Sequence, residues 1–468
     1  MIFRSRSICL LLAVAVAAMG WFAVPPGLQP AAWRLFTIFM GTILLVVLDA
    51  FPIGACALFG LTAAIVLRVV PFEQAFSGYH KPVVWLVLTA FFISHAVVKT
   101  GLGRRLACYL ICLLGKNPLG LAYSITLTDT ILSPAVPSST ARSGGVVFPI
   151  VQSLASTLRT HAAQTSDNSL AAYLMLVGFH ASVISSTLFL TAMASNPLAA
   201  QFAADVDIHI TWSTWALAAC VPGLISLLLM PLLLFVLARP RQNTNHARDM
   251  ARSNLAKMGA VTKQEKLVIV VLVLLLSLWT VGPWFHISAV QASLMGVVAL
   301  LLLRVFCWSD MTGLASAWST FVWFGAFLSF ANNLSLSGAT SWFAQGVSNI
   351  VQPLSPTTGF VVLCLMFFYA HYVIGSSTAH VGALYAPFLL AATQLGAAPL
   401  YAALFLAWLA SLAGCLTHYS FGPAPIWFAA GFVSLQRWCS IGFLMSIFHL
   451  LTWGVVGTLW WQLIAAVV

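Results

Sequence analysis

Two short stretches carry the polar chemistry of an otherwise oily chain. In "SPAVPSSTARSGG" the hydroxyls of Ser138, Ser139 and Thr140 sit between a proline-ended segment and Arg142. In "GSSTAHVG" Ser376, Ser377 and Thr378 precede His380 at the same spacing. Ser138 or Ser139 suits the cap of a helix beginning near Thr140, and Ser376 or Ser377 the cap of one beginning near Thr378. A capped helix N-terminus offers free N–H groups and a partial positive charge, which is a carboxylate site. Two such tips would grip the two ends of a dianion, a dicarboxylate better than a monovalent ion. Arg142 inside a membrane is a functional group by default, with Asp129 a structural partner for it. His371, Tyr372 and His418 are further candidates for a cavity wall, and Gly144 and Gly145 would let the returning segment pack closely.

The bland reading is that Ser and Thr back-bond to their own helix or ease helix packing. Its weight falls because the motif occurs twice, each time beside a Pro or Gly break. A serine hydrolase would need one nucleophile with its base, whereas here the hydroxyls are duplicated. A passive channel fits broken helices less well than alternating access does. The chain is therefore expected not to be an enzyme, with no catalytic residues, no metal and no cofactor.

The elements that must hold these residues are membrane helices. Of the 468 residues 61% are hydrophobic and 6% charged, and the mean hydropathy is +1.00. Runs such as 8–24, 35–48, 216–237 and 267–281 approach or reach the length needed to cross roughly 30 Å of hydrocarbon. About eleven spans and two interrupted apolar segments are expected, making an all-α polytopic membrane protein. The first span follows Arg4 and Arg6 and could be a secretory signal, but the spans downstream favour a first transmembrane helix. The net charge of +11 is no nucleic-acid signature, because seven of the 20 Lys and Arg residues fall in the polar stretch 239–266. The positive-inside rule puts that linker, and the loop with Arg104, Arg105 and Lys116, in the cytoplasm, with Asp205 and Asp207 in a loop poor in Lys and Arg. The N-terminus is then inside and the C-terminus outside. Nine scattered cysteines read as small buried hydrophobes, Cys108 and Cys112 included.

The halves repeat. Trp85 falls on Trp323, Ser139 on Ser377, Thr140 on Thr378 and Arg142 on His380, all at an offset of 238 (377 − 139). "TAMASNPLA", with Asn196 and Pro197, matches "THYSFGPAP", with Gly422 and Pro423, at a shorter offset that a polar loop around 161–168 explains. The expected organisation is a first transmembrane helix (1–31), a first repeat (32–238), a basic cytoplasmic linker (239–266) and a second repeat (267–468). The first repeat holds a re-entrant hairpin at about 118–156 and a broken helix at about 172–204, the second a hairpin at about 356–394 and a broken helix at about 400–434. Halves of opposite topology would form an inverted repeat, as in many secondary transporters.

These motifs, with "KTGLGRRLA" and "GPAPIWFAAGFVS", resemble end to end the divalent anion:sodium symporter family, in its citrate, tartrate and 2-oxoglutarate/malate exchanger branch. The resemblance implies a homodimeric elevator transporter in the bacterial cytoplasmic membrane. Its site would be lined by Ser138, Ser139, Thr140, Ser376, Ser377, Thr378 and the breaks at Asn196 and near Gly422. Arg142 and His380 join that substrate-binding set. Two departures leave sodium in doubt: Ser139 stands where the family has Asn, and Phe421 where it often has Thr. Only vestigial sodium positions are then expected near Ser139, Ser377 and Phe421, since a hard cation needs oxygen ligands. Arg142 and His380 would replace the cation, and a tethered charge cannot leave with the substrate, so obligatory exchange of succinate, malate, fumarate, tartrate, 2-oxoglutarate or citrate is the expected mode.

Overall fold

In a computed structural model, residues 6–162, 169–240 and 244–466 are described. Arg4, Arg241 and most of the polar loop at 161–168 lie outside them. The described residues form helices and turns with no strand. They divide into two compact units, each assembled from three pieces of chain.

The first unit comprises Met1–Leu88, Ser195–Ile210 and Leu314–Ala413. Its helices Pro30–Val47, Ile53–Val66 and Ala315–Leu336 pack on one another. The contact at Gly78 is so close that a Cβ there would collide with the Gly325 carbonyl oxygen. The Gly78 N–H donates to Ser329 Oγ at 2.9 Å, and Tyr79 Oη donates to the Val322 carbonyl at 2.7 Å. Against this frame lie the helix Ser195–Ala204, the helix Pro399–Leu412, and a hairpin with arms Pro356–Tyr369 and Ala386–Gln394.

The second unit comprises Thr89–Ala194, Thr211–Gly313 and Gly414–Val468. Its centre is the helix Ser169–Leu188, buried from Leu170 to Leu188. An apolar helix without a polar stripe belongs in an interior, and its Tyr173 Oη finds the Pro231 carbonyl at 2.9 Å. Beside it stands the other hairpin, with arms Pro118–Leu132 and Phe148–Ala162.

The linker is not an extended strap. Residues Asn245–Met258 form a helix on Leu102–Leu114, with Ala247 and Ala251 buried four residues apart and the Arg248 guanidinium on the Cys112 carbonyl. Arg105 clasps its far end. It donates to Glu265 Oε1 at 2.6 Å and Oε2 at 3.2 Å, and to the Gly259 carbonyl at 2.8 Å. The two basic stretches expected on one side of the membrane are thus held together.

Six described helices are long and apolar enough to cross a membrane: Pro30–Val47, Pro82–Thr100, Ser169–Leu188, Trp212–Ala238, Lys263–Phe285 and Leu435–Ile464. Four more apolar helices are shorter, and the pair Ala339–Val351 and Pro356–Tyr372 bends by 119°. The expected eleven therefore includes short and broken elements. Ile53–Val66 and Ala289–Leu302, of 14 residues each, rise only about 21 Å. Both stop at a turn with a left-handed residue, Arg68 in one case and Arg304 in the other.

Backbone devices repeat with the sequence. The left-handed residues pair as Asp49 with His286, Arg68 with Arg304, and Gly101 with Gly338, each pair reproducing the 238-residue offset to within two residues. Gly101 and Gly338 each end one helix and begin the next, a φ that glycine takes at no steric cost.

Glu265 is 1% exposed and Arg105 13%, so Arg105→Met strands a buried carboxylate. It is expected to lower stability by about 3–5 kcal/mol, read as thermal unfolding of the detergent-solubilised chain. Arg252→Ala, which loses only an exposed 4.0 Å contact with Asp249, is expected to change nothing measurable.

Candidate functional site

Both tips fold the same way. The Ala141 N–H donates to Ser138 Oγ at 3.1 Å and the Arg142 N–H to the Ser138 carbonyl at 2.8 Å. In the other hairpin the Ala379 N–H donates to Ser376 Oγ at 3.4 Å and the His380 N–H to the Ser376 carbonyl at 2.8 Å. The first serine of each triplet is therefore the cap. Each cap leads into a widened π-helical stretch, Thr140–Val147 in one hairpin and Val381–Tyr385 in the other. Such turns inside helices are frequent at functional sites.

In the second unit the first tip gathers Ser138, Ser139, Thr140, Arg142 and Gly422. Ser139 is buried, while Thr140 and Gly422 are exposed. Gly422 meets the tip directly: a Cβ on it would stand 2.6 Å from Thr140 Oγ1 and 3.8 Å from Ser139 Oγ. Phe421 is turned inward, edge-on to Phe179 with ring centroids 6.4 Å apart. Gly144 packs as expected, since a Cβ on it would stand 2.6 Å from Ile426 Cδ1, but Gly145 faces open space and lines a cavity of about 620 Å³ with Lys99, Arg104 and Asn254.

Arg142 has no exposed surface. Its Nε–H donates to Asp129 Oδ2 at 3.1 Å. Nη1 donates to the carbonyls of Val136 and Ala192, both at 2.8 Å, and Nη2 to Ser186 Oγ at 2.7 Å and Ser185 Oγ at 3.3 Å. Ser185 also donates to Asp129 Oδ2. A guanidinium has five N–H groups, and all five are spent. The Arg142 guanidinium is thus turned to the protein by every N–H. It ties the outgoing arm, the tip, the central helix and the helix break into one piece. Thr191 adds to that latch through the Pro134 carbonyl at 2.8 Å, and Ser143 through the Trp427 indole at 2.9 Å.

In the first unit the second tip gathers Ser376, Ser377, Thr378, His380 and Asn196. The short helix turn Ser377–His380 packs against Ser195–Ala204. Asn196 Oδ1 accepts from Ser411 Oγ at 2.9 Å. The buried hydroxyls of Ser377 and Ser195 have no hydrogen-bond partner among the described residues. Buried polar groups are rarely left so, and His380 Nε2 in this tip and Asp129 Oδ1 beside the first are in the same condition. His380 Nδ1 lies 2.6 Å from His371 Nδ1. "GSSTAH" therefore assembles no nucleophile with its base. Tyr372 is exposed, and His418 lies against Phe428 in the second unit, the rings tilted by 38° with centroids 4.7 Å apart.

The residues that sequence reading passed over are Ser185, Ser186, Ser195 and Ser411. One signal was available for the first two: 185–187 is a third Ser-Ser-Thr. It ends an apolar helix instead of opening one, so the capping argument does not reach it.

The sodium:sulfate symporter transmembrane region matches residues 4–467. The chain belongs to this family. It is a family of transporters and not of enzymes, in agreement with the resemblance read from the tips. The chain is 42% identical to the putative malate transporter YflS of Bacillus subtilis, over 97% of this chain and 96% of that one. It is 40% identical to the chloroplastic dicarboxylate transporter 1 of Spinacia oleracea, over 97% and 81%. It is 31% identical to the inner membrane protein YbhI of Escherichia coli, over 95% of each. In fold it is similar to the YdaH transporter of Alcanivorax borkumensis, with a TM-score of 0.54 at 15% identity, covering 91% of this chain and 98% of that one.

If Arg142 positions the hairpin, its loss is a loss of fold more than of substrate affinity. Arg142→Met is expected to cost about 3–5 kcal/mol by leaving Asp129 buried and unpaired. Asp129→Asn combined with Arg142→Met is expected to recover part of that, measured by a double-mutant cycle on thermal unfolding. Gly422→Ala, which presses on Thr140, is expected to leave stability nearly unchanged and to slow transport about 10- to 100-fold.

Proposed function

We propose that the chain is a secondary active transporter of dicarboxylates that works by obligatory exchange. The observation that carries this reading is the twinned tip: two serine-capped helix starts, alike in side-chain cap and in backbone hydrogen bond. Each presents free N–H groups and about half a positive charge, which suits the two ends of a diacid. The printed names of the Bacillus and Spinacia relatives, a malate and a dicarboxylate transporter, support the same substrate class. Succinate, malate, fumarate, tartrate, 2-oxoglutarate and citrate remain the panel, because cavity shape decides among them.

The architecture proposed with it is an inverted repeat in a homodimer, moving the site across the bilayer as an elevator. The N-terminus and basic linker lie in the cytoplasm of a bacterial cell and the C-terminus outside. The physical case for exchange rests on fixed charge. Arg142 is cancelled by Asp129, so the positive charge at an empty tip is that of its helix N-terminus. Carrying it through the membrane without an anion is costly, and it cannot leave as a bound sodium would. No cofactor is part of this reading. The second reading, sodium-coupled symport, is favoured by the family's own description; against it stand Ser139 in place of an amide and Phe421 turned away with no side-chain oxygen.

Counterflow decides between them. Proteoliposomes preloaded with malate are expected to take up labelled diacid from outside with saturation, and empty vesicles are not, with or without sodium. Rapid uptake into empty vesicles driven by an inward sodium gradient would establish symport instead. Ser377→Ala is expected to raise the half-saturating diacid concentration about tenfold while counterflow persists, since one hydrogen bond to a charged ligand is worth about 1.5 kcal/mol.

A further inference from the structure

We propose that the cavity beside the basic linker binds the phosphate headgroup of an anionic phospholipid. The site lies within the second unit and shares no residue with the substrate-binding set.

Four pieces of chain enclose it. The spanning helix Pro82–Thr100 ends there with Lys99, and the helix Leu102–Leu114 begins there with Arg104. The returning side of the first hairpin contributes Gly145, Val146 and Ile150, and the linker helix contributes Asn254. Among the described residues no Asp or Glu lines the cavity of about 620 Å³. Lys99 is matched by Asp310 at 2.6 Å. Arg104 is exposed, and its Nη2 donates to the Asn254 amide oxygen at 3.2 Å. It makes no ion pair with a carboxylate among the described residues. One positive charge is therefore left at the cavity. The start of Leu102–Leu114, which no side chain caps among the described residues, adds free N–H groups and a partial positive charge to it. A phosphodiester carries a single negative charge and meets that need; free phosphate brings more charge than the cavity balances.

The place is at the membrane boundary. A spanning helix stops at the left-handed Gly101, and Val98 and Lys99 are exposed side by side. Along Leu102–Leu114 the exposed residues are Arg104 and, one turn apart, Tyr109 and Leu113. A helix charged at one end and apolar outward belongs at the level of the headgroups. A headgroup in the cavity meets Arg104 and Asn254, and its acyl chains run along Val98, Val146 and Ile150. Basic pockets among membrane helices, on the side where Lys and Arg gather, take anionic headgroups.

The repeat supplies the comparison. Gly338, Leu384 and Phe388 stand where Gly101, Val146 and Ile150 do, at the offset of 238 to within one residue, and they line a cavity of about 990 Å³ in the first unit. Its polar lining includes Ser341, Gln345 and Asn349, and no charged residue among the described ones. Each half thus leaves a cavity at the same bend of the chain, and only the one beside the linker is basic. The void comes with the fold; the guanidinium in it does not.

The test is native mass spectrometry of the delipidated full chain in detergent, with thermal unfolding read alongside. The probes are phosphatidylglycerol, phosphatidylcholine and inorganic phosphate. Phosphatidylglycerol is expected to saturate one site per chain and to raise the unfolding temperature. Phosphatidylcholine, whose ammonium cancels its charge, is expected to bind several-fold more weakly, and inorganic phosphate, which has nothing to lay against Val146 and Ile150, is expected not to stabilise. Arg104→Gln is expected to weaken phosphatidylglycerol binding about tenfold. Gly145→Leu puts a side chain into open space without removing a charge and is expected to abolish binding. Arg252→Ala removes an exposed charge that does not line the cavity and is expected to leave binding unchanged. Equal losses in Arg104→Gln and Arg252→Ala would show diffuse attraction to anionic lipid and overturn the site. Full binding retained in either cavity variant, or equal binding of the two lipids, overturns it as well. Stabilisation by inorganic phosphate as great as that by phosphatidylglycerol overturns the lipid as the source of the phosphate group.

Discussion

A helix broken inside hydrocarbon leaves backbone N–H and C=O groups that no lipid can satisfy. Each break in this chain must therefore be answered by another piece of the same protein or by a polar ligand. At the first tip protein answers nearly everything. Ser138 caps the returning helix, the Val136 and Ala192 carbonyls accept from Arg142, and Pro134 receives Thr191. The cost of irregular backbone is met by bringing a guanidinium with five donors to where carbonyls have lost their own. The proline-ended arm and the helix Ser169–Leu188 then cannot move apart without exposing a buried charge.

That solution explains why an arginine can sit so deep. An isolated guanidinium would be prohibitive there, but Arg142 is bonded to a carboxylate and fully satisfied, the condition under which a buried ion is tolerated. Electrically the pair is silent. Arg142 lies on the same hairpin tip as Ser139 and Thr140, next to Gly422, where the chain has room for no Cβ without displacing Thr140.

Much of this was legible in the residues. The duplicated Ser-Ser-Thr, its distance from Pro and Gly breaks, and the offset of 238 located both tips and the family, because helix capping and membrane burial are local rules that a sequence displays directly. The partner of Arg142 was half legible, since Asp129 lies on the same hairpin. Ser185 and Ser186 were not, because their contact spans more than forty residues and depends on how a buried helix is rotated. The linker helix Asn245–Met258 was hidden for a different reason. Its buried face is made of Ala247 and Ala251, too small to register as an apolar stripe among its charged neighbours. The lengths of the spans were not legible, because hydropathy counts apolar residues, whereas span length depends on where a left-handed turn such as that at Arg68 stops the helix.

The two tips make the sharpest comparison the molecule offers. Their backbones are alike down to the carbonyl that receives the N–H of the fourth residue after the capping hydroxyl, yet that residue differs in kind. Arg142 is a guanidinium with a carboxylate bonded to it. His380 is an imidazole with a second imidazole, that of His371, bonded to it. If both positions served one purpose, such as tethering a cation to the substrate, the same surroundings would be expected at each. The surroundings differ as the two side chains do: a buried guanidinium needs a carboxylate from the protein, whereas an imidazole can be matched by another imidazole. The repeat is thus kept in the backbone of the tips and broken in the side chains that follow it.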